Sequence, residues 1–258
     1  LGELNKDERG ALLKRYTAGN PFPADSRSAI ADAGDASDFT AKHRRVHERF
    51  LRLLQIKELD DLLLVDPRGN VVYTVMKDAD FGTNLLSGPL SQSNLAQVFR
   101  GAMAAQPPWS QVLADMAQYG PSGVPAMFMG QAVRNEYGAV AGVLVFRLNN
   151  EKLRDTANHI QDLGDTGEVY LVGADGTRRS QTRFAHGALL TEKVISESAT
   201  RAAAGFSASV VTKDYKDDGV VSAYAPIDLM GVRWGIVSKI NLSEALAPLH
   251  TMVLATSI

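Results

Sequence analysis

His43 and His47 stand four residues apart in "HRRVH", a spacing that puts two imidazoles on one helix face and can bind zinc. An arginine stands where a zinc protease helix needs its glutamate, and no third ligand is evident, so these histidines are expected to pack beside Val46 and Phe50. His159, His186 and His250 are isolated. The chain has no cysteine, which excludes disulfides, thiol nucleophiles and Cys-metal sites. No G-x-S-x-G and no G-x-x-x-x-G-K-[ST] occurs. The acids of "DPRG" and "GADG" read as turn residues, and "KDYKDDG" reads as a solvated hairpin turn rather than a calcium loop. No catalysis, metal or cofactor is expected. A catalytic or cofactor-binding domain remains the competing class, with His43 or His47 as axial ligand if the group were haem.

The segment that does suggest a site is "AQYGPSGVPAMF" at 117–128. Two prolines stiffen it, Gly120 and Gly123 permit close backbone approach, and an aromatic marks each end. Tyr119 offers a ring and a hydroxyl, Ser122 a hydroxyl and Phe128 a ring, with Trp109 and Asp115 just upstream. An apolar wall with a few orienting polar groups is the makeup of a small-molecule pocket. The alternative is an irregular hairpin packed on the core.

The elements that must hold this segment follow from periodicity. Residues 1–16 predict a short helix, broken by the prolines of "GNPFPADS". Asp38 is read as the cap of a stronger helix with Val46, Phe50, Leu53 and Leu54 as its apolar stripe. Residues 61–75 predict a hairpin, 91–108 a capped helix with Leu95, Val98, Phe99, Ala102 and Met103 inside, and 109–118, 126–134 and 139–148 three strands. A helix over 149–164 follows. The pattern then restarts: strand–turn–strand at 167–181, a helix near 191–204, and strands at 206–213, 219–226 and 232–240. "NLSEALAPL" opens a last helix, and "APLHTMVLATSI" is either its tail or the first turns of a membrane helix. The chain starts at Leu1 and is expected to be part of a longer protein. A net charge of −2 and the lack of a long basic run argue against nucleic acid as a partner.

The restart is an internal repeat. "LVDPRGNVVY" (64–73) matches "LVGADGTRRS" (171–180), and "GAVAGVLVFRLN" (138–149) matches "GVRWGIVSKIN" (231–241), including two glycines, a cation and the closing Asn. Antiparallel strands with helices gathered on one side make two α+β modules in tandem. The copies are read as differing most at 117–128, where the second has the charged "TKDYKDDGVVSAY".

The order "YTAGNPFP", "DLLLVDPRGNVVYTVMKDADFGTNL", "QYGPSGVPAMF", "GVLVFRLN", "TGEVYLVGADGTRRSQTRF" and "WGIVSKINLSEALAPL" resembles the double Cache sensor domains of bacterial methyl-accepting chemotaxis transducers over nearly the whole chain. The resemblance implies two PAS-like modules on a long N-terminal helix, in the periplasm as part of an inner-membrane receptor. It implies a membrane-distal module at 39–150 that binds ligand and a proximal one at 151–243 that relays. Residues 1–38 would be the helix and its connection, and 244–258 the helix leading to a membrane span. It also implies a homodimer in the full receptor, without enzymatic activity. The output is a chemoreceptor, or alternatively a histidine kinase or nucleotide cyclase. The amino-acid-binding branch carries an Arg-x-Trp-Tyr run that "PPWSQVLADMAQY" lacks, and an aspartate where Arg147 stands. Arg147 can hold a carboxylate, so a small organic acid is expected over an amino acid. Asp115 pulls toward a cationic or hydroxyl-bearing ligand, and Arg147 could equally be a strand-end cation facing solvent.

Overall fold

Acidic residues in the first turn (Asp7, Glu8) and basic ones in the last (Lys14, Arg15) suit the dipole of helix α1, Lys6–Tyr16. It stops where the Asn20 amide caps the Tyr16 carbonyl at 3.1 Å and the prolines at 21 and 23 deny further helix bonds. The computed structural model describes residues 6–152, 163–184 and 189–248. Within them the long N-terminal helix implied by the resemblance is not a single element. Eleven residues of α1 are followed by a 3-10 turn at Ala24–Ala29 and then by the longer α2, Asp38–Lys57. Leu12 and Tyr16 anchor α1 on Ile30 and Phe81.

Ser37, not Asp38, caps α2: its hydroxyl accepts the Thr40 amide at 3.1 Å. Of the expected stripe, Leu54 is buried and Phe50 and Leu53 pack on the same cluster, but Val46 does not. Thr40, His43, His47 and Leu54 point inward, at helical spacing, whereas Val46 is 36% exposed. In the first half of the helix polar histidines, hydrogen-bonded on the inside, take the place that an apolar reading gives to Val46.

The chain divides into two compact units, residues 1–149 and 150–258. The first holds β1 (Leu59–Val65), β2 (Val71–Thr74), α3 (Asn94–Ala104), β3 (Val112–Tyr119), β4 (Val124–Arg134) and β5 (Val140–Leu148). Its antiparallel sheet runs β2-β1-β5-β4-β3. Alternation sends Leu63, Val65, Val143 and Val145 to one face, where α3 covers them with Leu95, Val98, Phe99 and Ala102. Leu62, Tyr73, Val75, Leu64 and Phe146 go to the other face with Phe50 and Leu54 of α2.

The second unit holds β6 (Glu168–Gly173), α4 (Glu197–Ala203), β7 (Ala208–Lys213), β8 (Gly219–Leu229) and β9 (Val232–Asn241), in the order β6-β9-β8-β7. Its hairpin partner after Gly176 is reduced to single bridges, Val172 to Arg178 and Thr177 to Lys193. Residues 242–248 are helical. Most of the helix expected over 149–164, and the end of the chain after 248, lie outside the described residues. Among the described residues no helix is long and apolar enough to cross a membrane.

Equivalent helices start on equivalent caps. The hydroxyls of Ser93 and Ser196 accept the amides of Ala96 and Ala199. Ser93→Ala is expected to cost about 1 kcal/mol, read as a lowered urea midpoint with an unchanged slope.

Candidate functional site

Asp61 lies in an apolar strand, but alternation fixes where it points: to the α3 side, with Leu63 and Val65. Register sets Asp61 opposite Arg147, and Arg147 opposite Phe128, so acid, cation and ring stand side by side on β1, β5 and β4. All three are buried, Asp61 and Phe128 completely. Phe128 meets the Tyr119 ring edge-on at 4.8 Å between centroids.

The loop after β2 brings the remaining charges. Lys77 turns through a left-handed conformation (φ 60°), with its amide on the Thr74 hydroxyl at 2.7 Å. Its ammonium is fully buried, donates to the Thr74 carbonyl and lies 4.4 Å from the Tyr73 ring centre. Asp78 Oδ2 accepts from Arg147 at 2.9 Å, and Asp80 Oδ2 accepts from the Tyr119 hydroxyl at 2.7 Å. Asp61 Oδ1 accepts the amides of Leu62, Val75 and Met76 at 2.7, 3.0 and 3.1 Å, which fastens the loop to the strand.

Three atoms of this buried group have no partner in the protein: Asp61 Oδ2, Asp80 Oδ1 and Arg147 Nε. Orphaned polar atoms at such depth are rare and costly. Burial, and then the neighbouring Asp80 charge, push the Asp61 carboxyl up to about 7. Burial likewise raises Asp80 to about 6 against the Tyr119 hydrogen bond. Burial lowers Lys77 to about 7, opposed by Asp61 and Asp80. Burial works against the Arg147 guanidinium too, but Asp61 and Asp78 outweigh it and keep it more basic than usual. Three acids face two cations in a low-dielectric setting, with two bare acceptors and one bare donor between them. Such a site can take hydrogen bonds from an ammonium and give one to a carboxylate.

Behind the sheet, the His43 and His47 rings stack at 4.4 Å between centroids. His47 Nε2 donates to the Ser28 carbonyl at 2.6 Å, so its Nδ1 accepts from the Tyr73 hydroxyl at 2.7 Å. His43 Nδ1 donates to the Ala31 carbonyl at 2.9 Å. The pair packs on the Tyr16 and Tyr73 rings rather than beside Val46, and among the described residues no group of three or more His, Asp or Glu is arranged to hold a metal.

Of the six residues singled out in the sequence, Tyr119, Phe128 and Arg147 come together. Trp109 does not: the turn at Pro107-Pro108 releases the chain before β3 begins, and the indole is 70% exposed. Ser122 is spent on its own turn, donating to the Val124 carbonyl at 3.3 Å. Asp115 sits at the irregularity between Ala114 and Ala117, where its Oδ1 accepts the Met116 amide and its carbonyl accepts from Asn94 on α3. It ties helix to strand. The tip of 117–128 is therefore a turn, and only its two aromatic ends reach the site.

The largest difference between the copies also lies elsewhere. From helix cap to the rung in line with Arg147 or Lys239, Ser93 to Ala114 is seven residues longer than Ser196 to Val210. Between the next rungs, Ala114 to Phe128 is only two residues longer than Val210 to Ser222. Asp61, Lys77, Asp78 and Asp80 were not picked out in the sequence. The signal for Asp61 was its alternation with Leu63 and Val65.

Comparison with known proteins gives this fold a family. A comparison with curated proteins found no match. Among solved structures, the extracellular domain of the candidate histidine kinase rpHK1S-Z16 superposes with a TM-score of 0.56 at 14% identity, covering 92% of this chain and 94% of that one. The ligand-binding domain of the Pseudomonas aeruginosa PAO1 amino acid chemoreceptor PctB, in complex with L-Arg, gives 0.55 at 15% identity, covering 93% and 91%. That of PctC from the same organism, in complex with GABA, gives 0.53 at 16%, covering 91% of each. These identities speak for the fold alone. The Cache domain family model dCache_1 matches residues 24–249, which takes in both sheets and the buried charge group: the chain belongs to the Cache domain family, whose members are sensor domains.

Proposed function

We propose that this chain is the extracytoplasmic sensing domain of a membrane receptor, and that its first module seats a small ligand carrying both an ammonium and a carboxylate group. The observation that carries the reading is the trio of bare buried atoms, Asp61 Oδ2, Asp80 Oδ1 and Arg147 Nε, beside the Tyr119 and Phe128 rings. An ammonium answers the two carboxylate oxygens and a carboxylate answers the guanidinium. This revises the expectation of a plain organic acid. Three acids face only two cations there, Arg147 and Lys77, so a lone anion would join a group that is already short of positive charge. GABA and L-Arg, held by PctC and PctB, each carry both groups, which supports the reading by fold-level analogy.

The receptor is read as a chemotaxis transducer in the inner membrane, a homodimer when whole, with this domain on the periplasmic side and no enzymatic activity of its own. A histidine kinase is the second reading, favoured by the likeness to rpHK1S-Z16. Binding would act by selecting one arrangement of the loop that holds Lys77, Asp78 and Asp80.

A thermal-shift panel of amino acids, GABA, plain amines and short carboxylates tests the ligand class. A zwitterion at about a hundred times its Kd should add about 2.7 kcal/mol of stability, and Asp61→Asn should abolish the shift. Hits confined to plain carboxylates, or binding unchanged in Asp61→Asn, would refute the assignment.

A further inference from the structure

The acid–cation pair of the first module recurs in the second at the same place. Asp61 lies opposite Arg147, and Arg147 opposite Phe128. In the second sheet Glu168 lies opposite Lys239, and Lys239 opposite Ser222, on β6, β9 and β8. All three are buried: Glu168 0%, Ser222 1% and Lys239 5% exposed. The surroundings are not alike. In the first module no group from the β3–β4 turn reaches the Arg147 guanidinium, which pairs with Asp78 from the loop after β2. In the second the β7–β8 turn sends two side chains inward. Asp214 Oδ2 accepts from the Lys239 ammonium, which also lies 3.0 Å from Glu168 Oε1. The Tyr215 hydroxyl donates to Glu168 Oε1 at 2.6 Å, and the Lys239 ammonium lies 4.9 Å from the Tyr215 ring centre.

We propose that the second module contains a ligand seat of its own for a small monocarboxylate of the formate or acetate class, held shut by the Asp214 carboxylate of the β7–β8 turn. Asp214 does there what a bound anion would do: it brings a carboxylate to a buried ammonium on the rung that carries the acid–cation pair in both modules. The turn does not satisfy everything around it. Glu168 Oε2 and Ser222 Oγ, on the strands either side of Lys239, have no partner in the protein. A buried ammonium flanked by an unpartnered hydroxyl and an unpartnered carboxylate oxygen on the neighbouring strands has polar capacity that the one carboxylate oxygen from the turn leaves unused. The tip of the turn stands clear of the core. Lys216, Asp217 and Asp218 are exposed, and Asp214 Oδ1 alone accepts the amides of Lys216 and Asp218 at 2.7 and 3.0 Å. The ligand must be a monocarboxylate, because Glu168 repels a second negative charge. The seat stands on residues of the second module alone, so it does not depend on the ligand assigned to the first.

Asp214→Ser tests the seat in the whole chain. A serine hydroxyl still offers an acceptor to the turn amides while leaving the Lys239 ammonium without its carboxylate. Titration of this variant with sodium acetate, against sodium chloride at equal ionic strength, is expected to raise the melting temperature by several degrees and to saturate. The unaltered protein and Asp214→Ser/Lys239→Met should show no acetate-specific rise. The proposal fails if Asp214→Ser gains nothing from acetate beyond chloride, or if the double variant or the unaltered protein gains as much. Hydrogen exchange on the unaltered protein gives a second readout that needs no variant to fold. Free acetate competing with Asp214 should speed exchange at the Lys216 and Asp218 amides, and unchanged exchange across the titration would overturn the idea.

Discussion

Arg147→Met is expected to cost the first module about 3–5 kcal/mol, because it leaves Asp61 and Asp78 as acids without their buried cation. The guanidinium holds Asp78 Oδ2 at 2.9 Å and faces Asp61 across the strand pair. Methionine fills similar volume, so the loss is electrostatic rather than a cavity. The cost should depend on pH in one direction. The Asp61 carboxyl is already raised to about 7 by burial and the Asp80 charge, and Arg147 is what pulls it back. Without Arg147 its folded pKa rises further above the unfolded value near 4. A raised acid pKa makes the folded state lose stability as pH rises from that unfolded value through the folded one. Urea unfolding should therefore find the variant nearest the parent at pH 5 and furthest at pH 8. Asp61→Leu added to Arg147→Met should recover part of the loss, since an apolar pair can replace a buried ion pair at little cost. If the single variant is as stable as the parent at pH 8, the three acids and the guanidinium are not one electrostatic unit.

How much of this was legible depends on how local the cause is. The hairpin of β1 and β2, the α3 stripe and the three strands after it follow period and turn residues that lie within each segment. Arg147 was visible because the resemblance set it where the amino-acid-binding branch has an aspartate, and the repeat sets it against Lys239. The same repeat set Asp61 against Glu168, but an acid at the mouth of an apolar run reads as a strand end unless alternation is followed through it. Asp80 could not be read at all. Its burial comes with α1 packing on the adjacent Phe81 and Tyr119 of β3 reaching its carboxylate, and nothing in "KDADFG" carries that information. Trp109 and Ser122 erred for the opposite reason. Their chemistry suited a pocket, but a turn on one side and a hairpin tip on the other aim them away. The helix α2 shows the limit of binary patterning: His43 and His47 count as polar, yet both are 2% exposed.

Those histidines lead to a second large effect, a loss of stability in acid. Burial, then the Lys77 charge, lower His43 to about 3 and His47 to about 4, so both are neutral in the folded protein. In the unfolded chain they protonate near 6.5. A depressed pKa contributes stability that is complete above pH 6.5 and lost as pH falls toward the folded values. Asp61 and Asp80 act in the opposite sense over the same range, because their folded pKa values are raised, so the parent's profile alone does not isolate the histidines. The difference between parent and His43→Gln/His47→Gln does. At pH 7.5 the double variant should be the less stable, having given up the bond to Tyr73 and those to the Ser28 and Ala31 carbonyls. Between pH 6.5 and 4 that gap should close by about 2 kcal/mol for each histidine. A gap that stays constant would mean the imidazoles are charged or exposed in the fold. The direction also bears on the site. Tyr73 takes the His47 bond on one side and lies under the Lys77 ammonium on the other, 4.4 Å away. A proton forced onto His47 removes the acceptor for Tyr73 and adds a like charge beside Lys77, so acid that loosens α2 from the sheet also acts on the loop holding Asp78 and Asp80.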